Sequence, residues 1–240
     1  MQRPPYSLIF ERNIGAISAN EQRRLKDSCV AIVGLGGIGG IAFDVLVRSG
    51  IGRFILIDKD KFEASNLNRQ LLSTSKVLGK KKVDVAMQIG KAINPEVKIK
   101  PHYIEFNEKN SSIIKDADVI VDGTDNILSR IILSRAARKY GISYIFGAVE
   151  CMKGISTIFP ESGKGYENIF ARFAKGKGIA EIRNKPKNKP PSVLGPVPNM
   201  IGCFEAIQAV NLLLSRKVVE YPEFLHLDMN GKTQIWIGKI

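Results

Sequence analysis

Short apolar runs alternate with amphipathic stretches over the first 150 residues of the chain. Cys29–Val33 is apolar and rich in β-branched residues, which predicts a strand buried on both faces. Residues 54–58, Val119–Asp122 and 143–146 read the same way, and 97–104 alternates as a half-buried strand does. Between them, 38–48, 80–93 and Ile127–Tyr140 carry apolar side chains at helical spacing, with Gly50 and Pro95 as stops. Strand and helix in turn predict βαβ units and a parallel sheet. A polar arm with one short helix, 19–26, comes first.

Beyond residue 150 the pattern changes. Residues 155–159 predict a strand with no helix after it. Residues 161–198 show little periodicity and much Lys, Gly and Pro, and the run KPKNKPP at 185–191 excludes a helix because successive prolines remove donors and clash. A long mobile loop over 161–198 is expected. A helix at 201–216 and antiparallel strands at 224–228 and 233–237, turning at Asn230-Gly231, close the chain. The fold class is therefore α/β: a Rossmann-like βαβ core with a mainly parallel sheet, extended by C-terminal antiparallel strands. One domain spans 1–240, with an arm at 1–28, a nucleotide-binding core at 29–150, a crossover loop at 161–198, and a final helix and strands at 199–240.

Composition adds less. The chain is 44% hydrophobic and 25% charged, the ordinary globular mix. No apolar run reaches the roughly 18–20 residues of a membrane span, and the N-terminus shows no apolar core with a cleavage site. Three scattered cysteines, Cys29, Cys151 and Cys203, fit a reducing compartment, so a cytoplasmic setting is expected. The net charge of +13 favours polyanions: a nucleotide, a nucleic acid or an acidic protein. The basic stretch 161–198 has few aromatics (Tyr166, Phe170, Phe173), which gives little support to RNA stacking.

The chemistry starts at Gly34-Leu-Gly36-Gly37-Ile-Gly39, which follows a buried strand and opens a helix. Glycines there allow a tight turn, close approach of backbone amides to phosphate, and close helix packing. The helix N-terminus offers unpaired amides to an anion. Asp58 ends the second strand, where a carboxylate accepts ribose hydroxyls. The loop alone does not separate NAD from ATP. The following residues do: Asp58-Lys-Asp60, then SNLNRQ with Asn66, Arg69 and Gln70, then Gly79-Lys80-Lys81-Lys82, then Gly123-Thr-Asp125-Asn126. Cations aimed at a polyphosphate suit nucleotidyl transfer, where charge develops on pyrophosphate. A carboxylate such as Asp125 at a strand end suits Mg²⁺.

With these motifs the chain resembles the ThiF/MoeB/HesA family, prokaryotic relatives of ubiquitin-activating enzymes. The resemblance runs from Glu11-Arg-Asn-Ile-Gly15 to the last strands and includes Ile201-Gly-Cys-Phe-Glu-Ala206. It implies an adenylyltransferase that uses ATP and Mg²⁺ to activate the C-terminal glycine of a ubiquitin-like or sulfur-carrier protein ending in Gly-Gly. By motif, Gly34, Gly36, Gly37 and Gly39 would lie along the nucleotide, with Asp58 on its ribose and Asp60 beside it. Asn66, Arg69 and Lys82 would contact the phosphates, Asp125 would hold Mg²⁺, and Gln70 and Asn126 would also belong to the nucleotide-binding site. The resemblance gives Arg12, Arg69, Lys82 and Asp125 catalytic roles, and it implies a homodimer in which Arg12 reaches the partner's site. Lys80 and Lys81 read as solvated charges.

The chain departs from the family pattern in two places. The paired Cys-x-x-Cys motifs that hold zinc in many relatives are absent, so no zinc is expected. No cysteine lies between Cys151 and Cys203, where many relatives place a nucleophile. Cys151 and Cys203 are expected to be packed thiols, His102 and His226 to be structural, and the chemistry to stop at the acyl adenylate. The basic loop could steer an acidic carrier. Three alternatives remain: adenylation of another carboxylate (a short peptide or threonylcarbamoyl-tRNA), a catalytically silent scaffold, or an NAD-dependent dehydrogenase.

Overall fold

The structure, a computed structural model, describes residues 4–183 and 192–239. Eight strands form one sheet: β1 (Cys29–Val33), β2 (Arg53–Ile57), β3 (Lys98–His102), β4 (Val119–Asp122), β5 (Ser143–Glu150), β6 (Lys153–Phe159), β7 (Glu223–Asp228) and β8 (Ile235–Lys239). Their order is β3-β2-β1-β4-β5-β6-β7-β8. The first five are parallel, and β5 through β8 pair antiparallel. This is the expected Rossmann-like core with its antiparallel extension.

Alternation along β1 explains why its sequence is wholly apolar. Val30 and Ile32 face one core with helices α2 (Ala19–Asp27), α3 (Gly37–Arg48), α4 (Lys82–Ile93) and α8 (Pro196–Leu213). Cys29, Ala31 and Val33 face the other, with α5 (Ile127–Tyr140), α6 (Tyr166–Ile169) and α7 (Ile179–Arg183). A parallel strand covered on both sides has no polar face to show. Ser18 caps α2 in a capping box with Glu21, and Gly141 ends α5 at φ +64°. A four-residue helix, α1 (Tyr6–Ile9), opens the described arm, and the Tyr6 hydroxyl donates to Gly50 O at 2.6 Å. No helix among the described residues is long and apolar enough to cross a membrane.

Several boundaries differ from expectation. The helix expected from residue 80 starts at Lys82, because Phe62 N–H donates to Lys80 O (2.9 Å) and Lys61 bridges Lys81 in extended form. The mobile loop at 161–198 is corrected at both ends. Over 161–183 the chain forms α6, a 3₁₀ turn at Arg172–Ala174, and α7. Glu167 is clamped by Arg135 and Arg138 at 2.7 Å each, while Tyr166, Ala171, Ala174, Ile179 and Ile182 are buried. Helices of four or five residues leave no readable periodicity, and these are held by tertiary contacts. At the other end α8 starts at Pro196 rather than 199 or 201, because prolines in a first turn forfeit only N–H groups that lack partners anyway. The KPKNKPP run, with Lys185, Lys187 and Lys189, lies in 184–191, outside the described residues. The expected two-residue turn at Asn230-Gly231 is longer, because Leu227 pairs with Ile235.

Candidate functional site

Strand order reverses between β1 and β4, and in open α/β sheets ligands bind beyond the strand ends at such a point. Here the loops leaving β1 and β4 touch. Gly34 has φ +90°, a backbone state that L side chains rarely adopt, and its N–H donates to Ile57 O at 2.8 Å. A methyl on Gly39 or on Gly123 would run into the Gly34 carbonyl oxygen. Gly36 is different: the atoms nearest a methyl there, Gln70 Nε2 and Gly123 O, are 3.9 Å away. Gly36 precedes α3, whose first turn receives no side-chain cap, leaving its amides available to an anion.

Asp58 follows β2 and is 8% exposed. Its Oδ2 accepts Leu35 N–H and its Oδ1 accepts Asp60 N–H, each at 2.7 Å. Burial pushes this carboxyl above its usual range, opposed by the Lys82 charge and the two amide bonds. Each oxygen keeps a lone pair for a hydroxyl donor. Lys82, the first residue of α4, is 5% exposed, and its Nζ stands 3.4 Å from Oδ2 of exposed Asp60. A lysine is rarely this buried without close compensation. So loose a pair leaves ammonium donors for another anion.

Asn66 is buried, and its Oδ1 accepts Glu63 N–H at 3.1 Å. Gln70 is buried, and among the described residues its Oε1 has no hydrogen-bond partner. The Arg69 guanidinium lies on its own turn, Nη1 donating to Ser65 O (2.9 Å) and Asn68 Oδ1 (2.8 Å). Asp125, beyond β4, is exposed, with Asn126 Nδ2 at 3.4 Å from its Oδ1, and Asn126 caps α5 through Ser129 N–H at 2.9 Å. Lys59, hydrogen-bonded to Glu105, is raised above its usual range chiefly by that bond, with Asp125 a lesser contributor.

One end of the sheet thus gathers the loop 34–39, Asp58, Asp60, Asn66, Arg69, Gln70, Lys82 and Asp125. Arg12 is not brought there. It is exposed in a 3₁₀ turn, and neighbouring Asn13 bonds Ser49 O at the C-terminal end of α3. Twelve helical residues, about 18 Å at 1.5 Å each, separate that end from the glycine loop. Lys80 and Lys81 are exposed, with Lys81 over the Tyr103 ring. His226 stacks on Trp236 at 5.0 Å, and His102 lies on the edge strand β3. Among the described residues no three His, Cys, Asp or Glu side chains cluster for a metal. The packed-thiol expectation is corrected: Cys151 and Cys203 are exposed, and Cys29 is the buried one. Cys151 ends up outside because it takes the β5–β6 turn with φ +53°.

Two parts of the site escaped sequence reasoning. Residues 195–198 cover it: a methyl on Gly195 would strike Asn68 O, and one on Gly37 would lie 3.1 Å from Pro198 Cβ. Asp122, fully buried, and Arg130 stand directly behind the Gly123–Asn126 turn. The only signal for Arg130 was its position one turn into the helix after that turn.

The ThiF family profile matches residues 10–236. The chain is 31% identical over 194 residues to the SAMP-activating enzyme E1 of Haloferax volcanii, covering 80% of this chain and 70% of that protein. It is 33% identical over 207 residues to a probable molybdopterin-synthase adenylyltransferase of Porphyra purpurea, covering 85% and 52%. It is 30% identical over 200 residues to the sulfur carrier protein adenylyltransferase of Thermus thermophilus, covering 80% and 72%. Among solved structures, PaaA superposes with a TM-score of 0.76 at 23% identity, covering all of this chain and 84% of the other, a likeness of fold.

Proposed function

The chain belongs to the ThiF family and is an adenylyltransferase, and we propose that it uses ATP to activate the C-terminal glycine carboxylate of a ubiquitin-like or sulfur-carrier protein. The carboxylate attacks the α-phosphorus, a P–O bond forms, the bond to the β-phosphate oxygen breaks, and pyrophosphate leaves. The observation that carries this reading is Lys82: a buried ammonium, loosely paired, at the start of a helix beside the glycine loop and Asp58. Hydride transfer has no use for such a cation, whereas a departing pyrophosphate does.

In this reading the residues divide the work by chemistry. Asp58, held by the Leu35 amide, accepts ribose hydroxyls, and the amides following Gly36 and Gly37 take phosphate oxygens. Asn66, Arg69, Gln70 and Lys82 neutralise and orient the phosphates, which requires Arg69 to leave its own turn. An Mg²⁺ ion would supply Lewis-acid charge on the phosphates. Asp125 would hold it, which fits, because Mg²⁺ keeps several waters and uses one or two carboxylates besides phosphate oxygens. Arg12, remote from its own site, acts in the site of a second copy in a homodimer. The chemistry ends at the acyl adenylate, and a separate donor or acceptor takes the acyl group. Arg172, Lys175 and Lys177, exposed on the crossover, attract an acidic carrier.

Hydroxylamine trapping tests the assignment. With ATP, Mg²⁺ and a Gly-Gly-ended carrier, mass spectrometry should find a hydroxamate at the carrier's last glycine. A hydroxamate formed with short peptides, and never with a carrier, would transfer the same chemistry to a peptide substrate.

A further inference from the structure

Asp125 does the most exposed work in the proposed site and has the least support of its own. Its side chain touches Asn126 Nδ2 at 3.4 Å, so its direction depends on the backbone of residues 123–126. That backbone is tied down from behind. Arg130 Nη2 donates to Thr124 O at 3.0 Å and to Gly147 O of β5 at 3.2 Å. Its Nε stands 3.6 Å from Asp122 Oδ2, and the guanidinium lies over the Phe146 ring at 5.2 Å. Asp122 Oδ1 in turn accepts the Thr124 N–H (2.8 Å) and hydroxyl (2.6 Å), and its Oδ2 accepts the Tyr144 hydroxyl (2.6 Å).

A buried ion pair is poor evidence for stability, because desolvation cancels much of the attraction. This pair is specific in another way. Five of its bonds end on Thr124 or on β5, the strand that Thr124 must be held against. Lysine could keep the charge opposite Asp122, but a single ammonium cannot reproduce a planar fork that reaches two carbonyls while pairing a carboxylate.

We propose that Arg130 is a positioning residue for Asp125, holding the Thr124–Asp125 turn against β5 so that the carboxylate points at the metal position. This rests on the reading of Asp125 as the Mg²⁺ ligand. Arg130 itself touches neither nucleotide nor metal.

The test is a double-mutant cycle in the full chain, with Arg130→Lys, Asp125→Asn and their combination. Three readouts are taken: pyrophosphate exchange, the Mg²⁺ concentration giving half-maximal exchange, and hydrogen exchange of the amides of 123–126 in protein without nucleotide or metal. Arg130→Lys should lower exchange about 10²-fold, the cost of a roughly 1 Å misplacement. It should raise the Mg²⁺ requirement and speed amide exchange in 123–126. Adding Arg130→Lys to Asp125→Asn should cost little more, since both act through one group. Independent, multiplying losses, or unchanged amide exchange in 123–126, would overturn the proposal while leaving the Asp125 reading intact. Full activity in Asp125→Asn would instead sink the metal reading, and the proposal with it. If Arg130→Lys does not fold, Asp122→Asn/Arg130→Gln removes both charges together and is read the same way.

Discussion

Two glycines three residues apart should fail in opposite ways. At Gly39 a methyl would drive into the Gly34 carbonyl oxygen and come within 3.1 Å of its carbon and 3.2 Å of Gly123 Cα. All are backbone atoms, and none can rotate aside. Overpacking of this kind costs about 1–3 kcal/mol or more. At roughly 2–4 °C per kcal/mol for a chain of this size, Gly39→Ala should melt about 2–12 °C lower. At Gly36 the nearest atoms are 3.9 Å away and φ is −78°. Gly36→Ala therefore costs the fold little beyond a poorer helix cap, below about 1 kcal/mol. The open space at Gly36 is where the account puts phosphate. In the parent protein, ATP with Mg²⁺ at about 100 times its Kd should add ~2.7 kcal/mol by linkage, roughly 5–11 °C. A methyl that weakens binding tenfold removes about 1.4 kcal/mol of that. The assay is a thermal melt of parent, Gly36→Ala and Gly39→Ala, with and without nucleotide. Full ATP protection of Gly36→Ala would refute the placement of the phosphates. An unshifted melt for Gly39→Ala would refute the close contact of the two loops.

Other outcomes follow from the same geometry. NAD at the same concentration should stabilise the parent much less than ATP with Mg²⁺, and equal stabilisation would favour a dehydrogenase. Lys82→Ala should lower pyrophosphate exchange about 10²-fold or more while the fold survives; near-normal exchange would remove Lys82 from the chemistry. Glu205 of α8 is fully buried with neither oxygen hydrogen-bonded among the described residues, and burial, then Asp122, push its carboxyl well above the usual range. A raised folded-state pKa gives stability that is full below the unfolded value and lost as pH climbs toward the folded one. Glu205→Gln, which has no proton to lose, should therefore melt progressively higher relative to the parent between pH 5 and pH 8. A difference that stays constant with pH would mean Glu205 does not titrate in this way. Mixing inactive Arg12→Ala and Asp125→Ala homodimers under subunit exchange should restore about a quarter of full activity if Arg12 acts in the partner's site, and none if it acts in its own.

The core was legible because its constraints are local. β1 and β4 are covered on both faces, so Cys29–Val33 and Val119–Asp122 carry their burial in every residue. Asp58 and Asp125 could be named because they lie just beyond the ends of β2 and β4, where a parallel sheet places such residues together, whereas Lys82 was singled out from Lys80 and Lys81 only by the resemblance to the family motif. What stayed hidden depends on contacts distant in sequence. Helix α6 is held where Glu167 meets Arg135 and Arg138, some 30 residues away, and α7 where Ile179 and Ile182 are buried in the core. Pro196 and Pro198 fell within the Pro-rich stretch expected to be a loop, but they stand in the first turn of α8. Arg130 looks like any helix-surface arginine in sequence, and its role appears only when β5 brings Gly147 O within 3.2 Å. Cys151 reads as a packed thiol after a buried strand, but the hairpin turns it outward.

A site that joins AMP to a protein's terminal carboxylate must also run that step in reverse, returning pyrophosphate to ATP. The most direct measurement is exchange of labelled pyrophosphate into ATP, run with each small Gly-Gly-ended protein from the same source, each also lacking its last glycine. Mg²⁺-dependent exchange is expected with at least one intact carrier, abolished by the truncation and by Asp125→Ala. Exchange absent with every carrier, or indifferent to the terminal glycine, would contradict this assignment.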